Sequence, residues 1–330
     1  MTMIKYSPYR INGKKEGWYV FLAGPIRGAE PWQHNLPEVP DVTWFSPRRR
    51  SYDKFNWEEQ TEWEHDHLLS SDIIMFWIPL MSRPDEISLE EYAKTTRTEI
   101  GEYLARGKKV IAGIHPGFPG RRYLVKKIAE EYHCGPVYET LEDTLDAVKE
   151  YINRITPKTC FTSDTHFSSQ RTLELSRRPY KTVSDMDWDM IAKWNSVIHP
   201  GDKVYHLGDF GDYWPLKYLN GEITLVLGNY EDKEMITNGY SPDWYVSQGF
   251  YDVLPRVTLP NGLVLAHEPL KVKETGGKGL FGHIHGRQKV KTFGIDVGVD
   301  GNNFYPFSED DVKFYLNAIR EGYYDKEVWS

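Results

Sequence analysis

In the second half of the chain, five short apolar stretches each run out into side chains that can bind a metal. These are Asp164-Thr165-His166, Gly208-Asp209, Gly228-Asn229, Ala266-His267 and Gly282-His283-Ile284-His285. A fold that uses them together must carry five strand ends, drawn from positions 164 to 285, to one point. Hard carboxylate and amide oxygens mixed with imidazole nitrogens suit a pair of Mn, Fe, Ni or Zn ions, whereas a lone structural zinc draws on cysteines. Only Cys134 and Cys160 are present. Along a strand, residues i and i+2 point the same way, so Asp164 with His166, and His283 with His285, can each aim two ligands at one place. Gly208, Gly228 and Gly282 allow tight turns and close backbone approach. The donor set points to hydrolysis at phosphorus.

At 330 residues the chain suits two domains, each able to bury a core. In the front half, 18–22, 42–45, 73–78 and 109–114 read as buried strands, and 56–69, 96–106 and 121–132 as helices between them. Alternating strands and helices imply an α/β domain with a parallel sheet covered on both faces. A helix over 141–154 ends before Thr156-Pro157, which places a boundary near 156 and gives domains over 1–155 and 156–330. The second half reads as strands at 159–163, 204–207, 223–227, 263–266 and 280–282, with more near 253–259 and 289–297. Met190, Ile191, Trp194, Val197 and Ile198 mark one helix by their spacing. The expected layout there is α+β, a two-sheet sandwich with flanking helices.

The net charge of −8 argues against a broad polyanion-binding face, so nucleic acid is an unlikely partner and a small molecule the expected one. Two cysteines are too few for a disulfide scaffold and suit reduced thiols in a cytoplasm. Residues 1–17 lack the apolar core of a signal peptide, and the longest apolar run, 73–81, is far short of a membrane span, so no membrane association is expected.

The residues from Cys160 to about Lys313 resemble a calcineurin-like metallophosphoesterase of the small phage and bacterial type. The likeness rests on Ser163-Asp164-Thr165-His166-Phe167, Trp194-Asn195, Val204-Tyr205-His206-Leu207-Gly208-Asp209-Phe210, Gly282-His283-Ile284-His285-Gly286 and Val297-Gly298-Val299-Asp300. It implies that Asp164, His166 and His285 hold one metal, that Asn229, His267 and His283 hold another, and that Asp209 bridges them. Two such ions, Mn above all, clamp a phosphoryl group and acidify a water.

One position departs from that family. A His usually follows the Gly-Asn ligand and protonates the leaving oxygen, but here Tyr230 follows Asn229. A phenol with an ordinary pKa near 10 is a poor proton donor at neutral pH. The departure implies a narrowed range that favours phosphodiesters or esters with good leaving groups. His206 is a candidate for orienting a ligand or the substrate, with packing beneath the site as the alternative. Arg171, with Arg177, Arg178 and Arg287, is a candidate phosphate contact, against the plainer reading of solvated arginines.

In the front half, 20–26 reads as a strand running into Gly24-Pro25, the place for a ligand crevice at the carboxyl edge of a parallel sheet. With Ser46-Pro47-Arg48-Arg49-Arg50, Gln60-Thr61-Glu62-Trp63-Glu64, Ser71-Asp72-Ile73-Ile74 and Thr96-Arg97-Thr98-Glu99-Ile100-Gly101-Glu102, this region resembles the nucleoside 2-deoxyribosyltransferase-like domains over about 18–115. The resemblance implies a Rossmann-like sheet, Glu99 as the nucleophile on an anomeric carbon and Asp72 as the acid that assists departure of the base. Thr96-x-x-Glu99 is also a capping box, which would give Glu99 a purely structural task. Arg48 is a candidate for a 5′-phosphate, and Gln60 and Glu64, one turn apart, can face the same crevice.

These expectations combine into a bifunctional enzyme on nucleotides or nucleosides, a two-metal phosphoesterase joined to a domain that cleaves or transfers at the N-glycosyl bond. Two alternatives stay open: a catalytically silent nucleotide sensor that controls the esterase, and a metal-dependent nuclease. Related front domains are oligomeric, so self-association is expected by resemblance alone.

Overall fold

The apolar runs at the front of the chain form a six-stranded, all-parallel sheet in the order β1-β3-β2-β4-β5-β6. Its strands are β1 (Met3–Tyr6), β2 (Trp18–Ala23), β3 (Val42–Ser46), β4 (Ile73–Ile78), β5 (Val110–Ile114) and β6 (Val137–Tyr138). Helices α1 (Trp57–Ser70), α2 (Lys94–Ala105) and α3 (Arg121–Val125) lie between strands and α4 (Leu141–Arg154) follows β6, with a π-helical stretch at Lys126–Glu131. This is a Rossmann-like α/β architecture. The computed structural model describes residues 3–11, 15–34, 36–50 and 56–322, and the chain divides into two compact units between Thr156 and Pro157.

All six residues of β2 and all six of β4 are buried, as a central parallel strand requires. Leu145 and Val148 of α4 pack with Val20, Leu22, Ile73 and Met75 in one core cluster. Strand order reverses between β2 and β4, which makes the carboxyl ends of those strands the natural crevice. There Gly24 follows β2, and a Cβ on it would stand 2.3 Å from the Trp77 carbonyl oxygen, so only glycine fits.

The second unit has two five-stranded sheets. In chain order the strands are β7 (Thr159–Thr162), β8 (Lys203–His206), β9 (Glu222–Val226), β10 (Asp252–Leu254), β11 (Val257–Thr258), β12 (Val264–Leu265), β13 (Gly279–Phe281), β14 (Val290–Lys291), β15 (Gly294–Asp296) and β16 (Phe307–Ser308). One sheet runs β10-β9-β8-β7-β16 and the other β11-β12-β13-β15-β14. Phe161 and Val226 of the first, with Leu207 just after β8, share a core with Leu265, Leu280 and Ile295 of the second. The helices are α5 (Gln170–Leu175), α6 (Val183–Val197), α7 (Asn229–Asn238), α8 (Pro242–Gln248), α9 (Pro269–Lys273) and α10 (Glu309–Arg320). Among the described residues, no helix is long and apolar enough to cross a membrane.

Strands β7, β8 and β9 are mutually parallel, as are β12, β13 and β15. Each parallel set therefore delivers its carboxyl ends to one edge. The five ligand-bearing stretches all lie directly after such ends.

Candidate functional site

The strand-alternation expectation for the ligands does not hold. β7 stops at Thr162, and the residues beyond it leave strand geometry: Asp164 has φ 57° and His166 φ 47°. Asp209 (57°), His283 (71°) and His285 (50°) are left-handed too. The turns after the strands, rather than the strand pleat, aim these side chains. A left-handed L-residue costs about 1–2 kcal/mol, so the unit concentrates strain where its donor atoms gather.

His166 Nε2 and His267 Nε2 each lie 3.6 Å from Asp209 Oδ2. The Asp209 carboxylate thus stands between two groups of donors. Donor atoms of Asp164, His166 and His285 lie within 4.8 Å of one another, and so do those of Asp164, Asp209 and His267. Asn229 Oδ1 is 2.9 Å from His267 Nε2 and 3.0 Å from His283 Nδ1, and those two nitrogens are 3.1 Å apart.

The chemistry of these contacts tests whether a cation fits. His267 Nδ1 lies 2.7 Å from the Leu207 carbonyl oxygen, which only accepts, so Nδ1 carries the hydrogen and Nε2 presents a lone pair. That lone pair faces the Asn229 oxygen with only His283 to offer a hydrogen. His166 Nε2 is buried without a hydrogen-bond partner. Converging acceptors short of donors are what a divalent cation satisfies, so the residues present fit a metal pair. Burial pushes Asp209 up to about 6 and His166 down to about 2, and lowers His267 to about 4. Burial likewise raises Asp164. A bound cation inverts this logic for the carboxylates.

The scaffold around the donors is polar and buried. Glu231 Oε2 accepts from the Asp209 and Gly228 N–H groups, both at 2.9 Å, and Oε1 accepts from Phe210 N–H at 2.9 Å. One carboxylate thus laces together the turns after β8 and β9. Burial first, then the Asp209 charge, pushes Glu231 up to about 7. Asp296 does the same after β13 and β15, accepting from Gly298 and Gly286 N–H at 2.8 Å each. A Cβ on Gly282 would stand 2.0 Å from Ser163 Oγ and 2.3 Å from Asp164 Oδ2, which is why that turn needs glycine.

Several site expectations change place. His206 is fully buried beneath the donors, 3.0 Å from Thr165 Oγ1, and cannot meet a substrate. Arg178 is buried rather than solvated and binds Asp300, not a phosphate site. Tyr230 and Arg171 do line the opening: Arg171 donates to the Tyr230 hydroxyl at 2.8 Å, and the Tyr230 ring meets His166 edge-on. Tyr230 N–H donates to Asp209 Oδ1 at 3.0 Å, leaving Oδ2 toward the histidines. A cavity of about 540 Å³ opens here, lined by His166, Arg171, Asp209, Tyr230, His283 and Arg287 among others.

In the first unit the capping explanation for Glu99 falls away. α2 starts at Lys94, with left-handed Ala93 as its cap and no side-chain cap bond, so Thr96 and Glu99 lie inside the helix. Asp72 is displaced from its expected role. It precedes β4 at the amino edge of the sheet and accepts from Tyr19 N–H at 2.7 Å, at the opposite end from Gly24 and Pro25. Glu64 on α1 is the acid whose charge bears most on Glu99. Burial raises Glu99 to about 7, with the Glu64 charge next in weight.

Gln60 organises this corner. Its Oε1 accepts from Ser7 Oγ and Arg49 Nε at 2.7 Å each, which turns Nε2 toward Pro47 O (3.0 Å) and Glu64 Oε1 (2.7 Å). Burial raises Glu64 as well, while Gln60 and Arg49 pull it back down. Arg48 donates to Gln33 Oε1 and to the Ile26 carbonyl, so it braces the loop after Gly24-Pro25.

The first unit is thus a Rossmann-like domain in which Glu64 on α1 and Glu99 on α2 influence each other electrostatically. Residues 17–118 match the family described as "Nucleoside 2-deoxyribosyltransferase like", so this unit carries a domain of that kind. An uncharacterized protein of Methanocaldococcus jannaschii, MJ1445, is 35% identical over 77 residues, which are 21% of this chain and 44% of that protein. The chain therefore spans less than half of that relative. A crystal structure of a protein of unknown function from Aquifex aeolicus, AQ665, is similar at 20% identity and a TM-score of 0.38, covering 48% of this chain and 99% of the other.

Proposed function

We propose that the second unit is a calcineurin-like, two-metal phosphoesterase and that the first binds a nucleoside or nucleotide and breaks its N-glycosyl bond. The observation that carries the first part is the position of Asp209 Oδ2, 3.6 Å from an imidazole nitrogen on either side. Two sheets that share one core, each with parallel strands ending at the donors, support the sandwich reading. In this reading Asp164, His166 and His285 hold one ion, Asn229, His267 and His283 the other, and Asp209 both. A pair of divalent cations, Mn first and Fe, Ni or Zn as alternatives, supplies Lewis acidity and an acidified water when bound.

The remaining work falls to side chains at the opening. Arg171 and Tyr230 present a cation and a hydroxyl on the substrate side, able to orient phosphoryl oxygens. Neither is an imidazole, so esters whose leaving oxygen needs no proton are favoured, phosphodiesters among them. In the first unit Glu99 keeps the nucleophile's place, and Glu64 takes over from Asp72 as the second carboxyl group. Two neighbouring carboxyl groups of unequal environment are what covalent glycosyl chemistry needs, one to attack and one to serve the leaving base.

The test is mass spectrometry of a nucleotide and cyclic-nucleotide panel incubated with the full chain and Mn. Opening or loss of the phosphate ester should vanish in Asp209→Asn, and release of free base should vanish in Glu99→Gln. If no ester in the panel is cleaved with Mn, Fe, Ni or Zn, the phosphoesterase reading fails.

A further inference from the structure

We propose that Arg178 and Asp300 form a positioning pair that pre-shapes one half of the metal centre, the half built from Asp164, His166 and His285, and not the other. This rests on the two-metal reading above. The Arg178 side chain has no exposed surface, and Asp300 keeps only 10%. Arg178 Nε and a terminal nitrogen reach the two Asp300 oxygens at 2.9 Å each, a two-pronged ion pair. The same guanidinium donates to the Asp164 carbonyl at 2.6 Å and to the Thr165 carbonyl at 2.7 Å. Its fifth N–H faces the Met186 sulfur at 3.5 Å. Every hydrogen of the guanidinium is therefore used, in a planar fork that a lysine cannot copy.

The two carbonyls belong to the left-handed turn that carries Asp164 and His166. Holding them offsets the strain of that turn. On its other side Asp300 Oδ2 lies 2.8 Å from His285 Nδ1. A carboxylate accepts, so Nδ1 carries the hydrogen and Nε2 is left as the donor to a metal, 3.9 Å from Asp164 Oδ1. One buried side chain thus ties together a strand-end turn, a carboxylate and the ring orientation of a histidine from a segment more than a hundred residues away. The other half of the centre has different supports: His267 is set by the Leu207 carbonyl, and the Gly228-Asn229 turn by Glu231. The Arg178–Asp300 pair thus touches the first half only, while the two halves meet where His283 N–H donates to the Asp164 carboxylate at 2.9 and 3.1 Å.

The test is calorimetric titration of the metal-stripped full chain with Mn, for wild type, Asp300→Asn and Arg178→Lys. Wild type should take up two ions. In either variant one of the two positions should weaken by about 10–100-fold while the second holds its wild-type affinity. Nitrogen-edited NMR of the metal-free protein supplies a second reading: His285 should carry its hydrogen on Nδ1 in wild type and lose that preference in Asp300→Asn. Equal weakening of both positions would mean general loosening and would overturn the proposal, as would no weakening at all. If Arg178→Lys does not fold, the near-isosteric Asp300→Asn decides alone. Wild type that binds no ion sinks the two-metal reading and this one together, whereas two intact positions in the variants sink this one only.

Discussion

Replacing Glu99 by Gln should change the pH dependence of stability in the first unit, in a direction that follows from burial alone. Burial, then Glu64, then Glu102, raises the Glu99 carboxyl to about 7 from an ordinary value of 4.5. Below about pH 4.5 the group is protonated in both folded and unfolded chains and has no effect. As pH rises toward 7 the unfolded chain ionises first, so this carboxyl's contribution to stability is lost with rising pH and the loss is complete above 7. At 1.36 kcal/mol per pKa unit the full loss is about 3 kcal/mol, most of which falls between pH 5 and pH 8. Gln carries no such term. Relative to wild type, Glu99→Gln should therefore gain about 2–3 kcal/mol across that interval. Urea titrations read by hydrogen exchange on peptides from β2, β4 and β5 isolate this unit from the other. A difference between variant and wild type that stays flat from pH 5 to 8, or falls, would refute the buried carboxyl pair.

In the second unit, Tyr230→His should raise turnover of a poor-leaving-group monoester such as phenyl phosphate by about 10²-fold, because an imidazole there can protonate the departing oxygen. Unchanged turnover would show that the phenol is not what narrows the range. Gly282→Ala should drive a methyl group into the Asp164 carboxylate, cost about 1–3 kcal/mol and abolish the rise in melting temperature that Mn gives wild type. A full Mn-dependent rise in that variant would count against Asp164 as a ligand. Turnover of a mononucleotide should fall only mildly between 50 and 200 mM salt, which turnover measurements at the two concentrations check; a steep loss would favour a long polyanion as substrate.

Burial decided which parts of the fold could be read from the sequence. β4 has the bounds its apolar run suggested because every residue in it is buried, and the 141–154 helix was legible from its stop before Pro157. The edge strands β1 and β16 escaped notice because each is short and half-buried, with no run and no alternation to mark it. The stretch 289–297 resolves into β14 and β15 because a tight turn at 292–293 folds it back on itself. Likewise 253–259 breaks into β10 and β11, which join different sheets.

The site divides along a different line, between donors and the groups that hold them. Donor atoms keep a local signature, since a His or Asp after an apolar run and beside a glycine stands out in any order of reading. Their supports have none. Glu231, Asp296 and Arg178 are charged residues, and a charged residue in a sequence is by default a surface one; that each is buried depends on partners outside its own element, among them Phe210 for Glu231, Gly286 for Asp296 and Asp300 for Arg178. The proposed exchange of Asp72 for Glu64 has the same origin. Asp72 owes its expected role to resemblance alone, and its position before β4 rather than after it puts it on the far edge, while Glu64, expected only to face the crevice with Gln60, accepts from Gln60 and is pulled down by the Arg49 charge. A carboxyl group's chemistry in this protein is set by what is desolvated beside it, and desolvation is a property of the folded unit, which no single helix states alone.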